Sequence, residues 1–198
     1  MSRVSRTNHT MMGILTGILF ILYACIPMED PPQETMDLQK LNNLPVLLNE
    51  NSGMTEYDDL LWFINDGGND SAIYGYNRSN ITVERSVAIR NSSNIDWEDI
   101  TQNEEFLFIG DFGNNASGNR TDLKIYMISK TDLTPTADTV VPAGIIHFRY
   151  EDQTDFSPVG NNATAFDCEA FIATEDTIIL FAKDWVNQQT RLYTLPVV

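Results

Sequence analysis

The chain has 198 residues, with 12 Lys or Arg against 28 Asp or Glu, and its formal net charge is −16. Such an acidic surface repels the phosphates of nucleic acids, which excludes nucleic acid as a partner. The two cysteines, Cys25 and Cys168, are too few for a disulfide framework.

Residues 1–24 carry the parts of an export signal. Arg3 and Arg6 are basic, residues 11–22 (MMGILTGILFIL) are apolar, and Cys25 follows a small residue in the sequence LYAC. This segment resembles a bacterial lipoprotein signal peptide, which implies cleavage before Cys25 and acylation of Cys25 with palmitate or similar chains. The alternative is a plain signal anchor, but the apolar run is shorter than the ~20 residues of a spanning helix.

Several acyl chains on Cys25 would hold the protein on a lipid membrane without a spanning segment. Because Ile26 rather than Asp follows the cysteine, analogy with the enterobacterial sorting rule predicts the outer membrane of the cell envelope. Residues 25–40 are rich in proline and acid and lack an apolar period, which predicts a disordered tether. We expect the folded domain at residues 41–198.

Three copies of one unit follow, each an apolar run ending in Asp and then a second strand with a Tyr. The runs are LWFIND (61–66), FLFIGD (106–111) and ILFAKD (179–184), and the second strands are IYGY (73–76), IYMI (125–128) and LYTL (192–195). Asp66 and Asp111 are 45 positions apart, the length of a four-stranded propeller blade. The sequence therefore predicts an all-β fold, a β-propeller with about three blade-like repeats.

Three blades are fewer than the four to eight that close a propeller. An open stack exposes an apolar sheet face and strand edges. We therefore expect the chain to be part of a longer product, or its C-terminal face to be covered by another chain.

A second repeated element supplies candidate metal ligands. IDWEDI (95–100) and FDCEAF (166–171) share the form apolar, Asp, any residue, Glu, any residue, apolar. Because alternate residues of a strand share a face, each pair of acids is predicted to point together, and innermost strands line a propeller channel. We expect the site to consist of Asp96, Glu98, Asp167 and Glu169. Either these carboxylates bind a hard cation such as Ca²⁺, or they cap turns and pair with basic residues.

The Asp at the end of each apolar run is predicted to be structural. Asp66 and Asp111 precede glycine-containing turns, where a carboxylate accepts backbone N–H bonds. A looser calcium loop at Asn65, Asp66, Asn69 and Asp70 is the alternative. Cys168 lies among apolar residues and is predicted to be a buried strand residue rather than a nucleophile.

Other chemistries lack their residues. After cleavage His147 is the one histidine left, which excludes a multi-histidine zinc site within this sequence. No GxSxG elbow, Walker loop or dinucleotide fingerprint occurs.

The chain resembles a family of exported bacterial β-propeller proteins over residues 48–196. DWEDI and GDFGNN are the strongest shared motifs, with LWFINDGGNDSAIYGY, FDCEAF, LFAKDW and TRLYTLP beside them. At fold level it is also similar to propellers of the gluconolactonase and regucalcin type. That likeness implies channel acids and amides that bind a divalent metal, and lactone opening in the enzyme members. It transfers no catalytic residue, but it makes Glu98 and Glu169 the first positions to examine.

Two functions remain open. The first is a membrane-anchored envelope lipoprotein whose propeller is a binding or scaffold module for a protein, glycan or small molecule. The second is a divalent-metal-dependent hydrolase of the lactonase or phosphoesterase type. The missing nucleophile machinery favours the first.

Overall fold

A computed structural model describes residues 35–197. The predictions for the signal peptide, Cys25, Ile26 and the first part of the tether lie outside these residues. Leu41–Val198 forms one compact unit. Its regular structure is β-strand, with two short 3-10 turns at Val46–Leu48 and Lys130–Asp132, so the predicted all-β class is confirmed. In the described part of the chain, nothing helical is long and apolar enough to cross a membrane.

The strands form three sheets. The first contains β1 (Asn51–Tyr57), β2 (Leu60–Asn65), β3 (Ala72–Asn77), β4 (Thr82–Ile89) and the short β8 (Thr139–Val140). The second contains β5 (Trp97–Gln102), β6 (Phe106–Asp111), β7 (Lys124–Ser129) and β9 (Gly144–His147). The third contains β10 (Asp167–Ala173), β11 (Thr177–Asp184) and β12 (Gln189–Pro196). All neighbours are antiparallel except β4 and β8, and among residues 35–197 no sheet closes on itself.

The first strands of the three sheets lie side by side, because β5 contacts both β1 and β10. Gly53 makes the approach of β1 to β5 feasible: a Cβ there would lie 2.8 Å from the Cα of Asp99. The Ser52 hydroxyl also donates to the carbonyl of Trp97 at 2.7 Å. β5 is therefore the central strand of this row of first strands.

Two apolar cores join the sheets. Trp62 and Ile64 of the first sheet pack in one cluster with Leu107 and Ile109 of the second. Phe108, on the opposite face of the second sheet, packs with residues of the third sheet in a second cluster. The cores hold the sheets in the order first, second, third.

Each of the first strands, β1, β5 and β10, has a β-bulge at the same place. The pairing register shifts between Asn51 and Gly53, between Trp97 and Asp99, and between Cys168 and Ala170. Ser52, Glu98 and Glu169 are therefore the unpaired residues of three equivalent bulges. A bulge redirects a side chain, and the two glutamates of the repeated element occupy this position.

The pairing also corrects the alignment of the three copies. Tyr74, Tyr126 and Tyr193 are equivalent, and they pair with Phe63, Ile109 and Leu180 respectively. Asp111 lies two residues after Ile109. The residues two positions after Phe63 and Leu180 are Asn65 and Ala182, so these are the structural equivalents of Asp111. Alignment of the copies on their final Asp is therefore wrong by one residue in the first sheet and two in the third.

Two short strands lie between the second and third copies of the unit. β8, at Thr139–Val140, pairs with β4. β9 begins at Gly144 and ends at His147, and Ile146 and Tyr150 are buried.

Candidate metal centre

Three carboxylates meet beside the start of β5. One ligand oxygen from each of Asp66, Asp96 and Glu98 lies within 4.8 Å of the others. Asp66 follows β2, Asp96 precedes β5, and Glu98 is the bulge residue of β5. The group thus joins the first sheet to the second.

Hydrogen bonds to its backbone fix the position of Asp96. Among the described residues, its carboxylate accepts no hydrogen bond. Its N–H donates to Asp111 Oδ1 at 3.1 Å, and its carbonyl accepts from the N–H groups of Phe112 and Gly113 at 3.1 and 3.2 Å. Asp111 is fully buried and pairs with Arg120 at 2.9 Å and Lys124 at 3.2 Å. The expectation that Asp111 has a structural role agrees with these contacts.

Gly113 forms the wall against which the Asp96 and Glu98 carboxylates lie. A Cβ at Gly113 would overlap both Glu98 Oε1 and Asp96 Oδ2. Glycine is therefore the residue that leaves space for two acid side chains here, and the GDFGNN motif provides it.

Asp66 belongs to the cluster rather than only to its turn. Its Oδ1 does accept the N–H of Gly67 at 2.6 Å, as a turn aspartate does. Asn65 and Asn69, however, donate their amides to Leu47 O and Glu50 Oε2. The sequence analysis assigned Asp66 to a local turn. No pattern in the sequence indicates the bulge that brings Glu98 close to Asp66.

Burial and mutual repulsion raise the pKa values of Asp96 and Glu98. Burial raises the pKa of Glu98 to about 9, and the nearby charges of Asp96 and Glu169 add to that rise. Burial likewise raises the pKa of Asp96 to about 6, with Asp66 contributing and Arg120 opposing. Without a cation, Glu98 therefore holds a proton at neutral pH.

The second predicted pair, Asp167 and Glu169, has different surroundings. Asp167 is buried, its Oδ1 accepting the N–H of Asn114 and its Oδ2 the indole N–H of Trp185, each at 2.7 Å. Glu169 lies 3.6 Å from Lys183 Nζ. Burial and a hydrogen bond with Asp167 raise the pKa of Glu169 to about 7. The repeated element therefore forms a carboxylate cluster at β5 and a hydrogen-bonded, partly neutralised pair at β10.

The three clustered oxygens suit a hard cation. Ca²⁺ takes oxygen ligands at about 2.3–2.6 Å, so ligand oxygens around one ion lie within roughly 5 Å of each other. Cation binding would displace the proton on Glu98 and reduce the repulsion. Cys168 is buried, and burial raises the pKa of its thiol, which opposes thiolate formation.

Comparison with known proteins does not assign a family. No protein-family model matches the chain, and no curated protein matches it significantly.

Proposed function

We propose that this chain is a membrane-anchored cell-envelope lipoprotein whose β-propeller-type domain is a cation-dependent binding or scaffold module. The observation that carries the proposal is the meeting of Asp66, Asp96 and Glu98 within 4.8 Å. Ca²⁺ is the expected ion because all three ligands are carboxylates.

The propeller interpretation is supported by the order of the sheets. Three sheets stack face to face through two apolar cores, and their first strands lie together as the innermost strands of blades do. The equivalent Tyr residues and bulges indicate a repeated unit rather than three unrelated sheets.

The anchoring part of the proposal rests on the sequence alone. The signal-like segment ending at Cys25 favours export, lipid attachment and an outer-membrane location. The ligand of the module is a protein, glycan or small molecule. It binds where β1, β5 and β10 lie side by side, next to the acid cluster.

Calcium titration of the processed chain with Cys25→Ser tests the proposal. Saturation at about 100 times the dissociation constant should add ~2.7 kcal/mol of stability. For a domain of this size, that is a rise in melting temperature of about 5–10 °C, which EDTA should reverse.

Glu98→Gln and Asp96→Asn should remove this rise. Glu105→Gln is the matched control, because Glu105 lies in the β5–β6 turn at the other end of β5. A rise that persists in Glu98→Gln, or the absence of any rise in the parent, would reject the cation site.

The metal-dependent hydrolase is the second candidate. Glu98 and Asp96 favour it, since adjacent carboxylates can supply both a metal ligand and a proton acceptor. Turnover of lactone or phosphoester substrates that needs Ca²⁺ and is lost in Glu98→Gln would select it over the binding module.

A further inference from the structure

The connection from β9 to β10 is much longer than its counterpart in the first sheet. Residues 90–96 join β4 to β5, whereas residues 148–166 join β9 to β10 without a helix or strand. Hydrogen bonds of 2.8 or 2.9 Å fix this long loop to the loop after β6. They run from Gln153 Nε2 to Gly118 O and from the N–H groups of Val159 and Asn162 to the carbonyls of Ser117 and Asn115. Long loops that are held in place in this way usually carry function.

A cavity of about 250 Å³, here called the loop cavity, lies between this loop and residues 120–123. Leu123, Phe148 and Phe156 form its apolar part, and Phe156 is 37% exposed. Thr121 and Gln153 add polar groups to the lining. Since drug-sized ligands occupy roughly 300–1,000 Å³, the loop cavity suits a smaller molecule.

The loop cavity contains two arginines with different surroundings. Arg120 is occupied within the protein, since it pairs with Asp111 at 2.9 Å and with Asp122 at 3.1 Å. Its Nη1 also donates to Gly113 O at 2.8 Å. Arg149 is exposed, and in the described part of the chain it forms no salt bridge and donates no side-chain hydrogen bond. The guanidinium of Arg149 is therefore the group here that can bind an anion.

The acids near the loop cavity leave room for an anionic ligand. Asp122 and Asp152 are each within salt-bridge distance of a basic side chain, which reduces their repulsion of an anion. Glu151 and Asp155 are exposed, so solvent and salt screen their charges.

We propose that the loop cavity binds a small organic carboxylate with an apolar body, such as an aromatic acid. The carboxylate accepts two parallel N–H bonds from Arg149, the bidentate contact that a guanidinium makes with this group. The body packs against Phe148 and Phe156, and the Thr121 hydroxyl is a further donor. A compact anion such as phosphate lacks the apolar body that the two phenylalanines accommodate. The site is independent of the acid cluster and needs no cation.

Benzoate titration of the protein in EDTA, followed by NMR of the backbone amides, tests the proposal. The resonances of Thr121, Phe148 and Gln153 should shift with one dissociation constant of about 1 mM, an ordinary affinity for a ligand of about nine heavy atoms. Glu98→Gln should bind benzoate as the parent does, so failure of the cation site leaves this result unchanged. Resonances that do not move at about 20 mM benzoate would overturn the proposal.

The charge of Arg149 is tested with a matched variant and a neutral ligand. Arg149→Gln should weaken benzoate binding about tenfold or more, because charge-assisted hydrogen bonds are lost. Arg90→Gln is the control, since Arg90 is also exposed and its loss changes the net charge equally. Benzamide has the same ring without the charge and should bind the parent about tenfold more weakly than benzoate. Equal losses in Arg149→Gln and Arg90→Gln would overturn the proposal.

The apolar wall and the source of the carboxylate are tested in the same assay. Phe156→Ala should weaken benzoate binding about threefold or more, whereas Val159→Ala, at 42% exposure in the same loop, should not. Benzoate represents a free acid and N-acetylphenylalanine the C-terminus of a peptide, so the tighter binder identifies the source. Inorganic phosphate that shifts the same resonances as strongly as benzoate would overturn the choice of an organic carboxylate.

Discussion

Asp99 in β5 accepts a hydrogen bond from the backbone N–H of Phe171 in β10, with 3.0 Å between Oδ2 and N. Its Oδ1 accepts the N–H of Ile100 at 2.8 Å. One carboxylate thus links β5, the first strand of the second sheet, to β10, the first strand of the third, beside the bulge that contains Glu98.

Asp99→Ala should lower the free energy of unfolding by about 1–3 kcal/mol, because it leaves the Phe171 N–H without an acceptor. Urea denaturation measures this loss. Asp155→Ala is the control, since Asp155 is exposed and its carboxylate accepts a hydrogen bond from the N–H of Ser157 in its own turn. An equal loss in both variants would contradict the role of Asp99 as a link between sheets.

Gly113→Ala should weaken Ca²⁺ binding by tenfold or more. Its added Cβ overlaps the Asp96 and Glu98 carboxylates and must push them apart. Isothermal titration of the metal measures the affinity. A Cβ at Gly160 meets no atom within 4 Å, so Gly160→Ala should bind as the parent does. Unchanged affinity in Gly113→Ala would mean that these two side chains do not ligate the ion.

The cation-free protein should lose stability as pH rises from 6 to 9. The pKa of Glu98 is about 9 in the folded state against 4.5 for an ordinary glutamate, and that of Asp96 is about 6 against 3.8. Their stabilising contribution is complete below the ordinary values and disappears as pH rises through the folded ones. Melting temperatures in EDTA at several pH values measure the slope.

Glu98→Gln should flatten that slope and raise the melting temperature at pH 8 by several degrees, at about 2–4 °C for each kcal/mol. Saturating Ca²⁺ should flatten it in the parent as well. Glu105→Gln should leave it unchanged, and a slope insensitive to Glu98→Gln would assign the pH dependence to other groups.

Arg120→Ala should destabilise the protein by about 3 kcal/mol, because it removes one of the two cations facing buried Asp111. It also removes a hydrogen bond from Arg120 Nη1 to Gly113 O, at 2.8 Å. Arg78→Ala breaks the exposed pair with Glu56 and should cost less than ~1 kcal/mol. Thermal or urea unfolding of the two variants measures the contrast, and equal losses would contradict it.

The sequence predicts the strands well because their apolar and aromatic residues recur. The three Tyr positions are equivalent in the structure, so their motif marks the repeat correctly. The final Asp of each run misleads, because aspartate ends a strand for different reasons. Asp66 is part of the acid cluster, and Asp184 pairs with Arg191. Asp111 is buried and pairs with the side chains of Arg120 and Lys124.

The candidate site was predictable only in part. Asp96 and Glu98 follow from the repeated element, and the structure brings them together. The contribution of Asp66 depends on contact between two sheets, and the different surroundings of Asp167 depend on Trp185 and Asn114. Strand periodicity predicts neither the contribution of Asp66 nor the surroundings of Asp167. A bulge also inserts one residue without a change in composition, so periodicity does not reveal it.

The three aligned bulges make one position per sheet replaceable. Ser52, Glu98 and Glu169 each stand outside the hydrogen-bonded ladder, so a different side chain can occupy these places while the strand pairing persists. The same backbone already accommodates a hydroxyl in one sheet and a carboxylate in the other two. Under the proposed cation-binding function, exchange at these three positions would therefore change the ligand set while the cores stay constant.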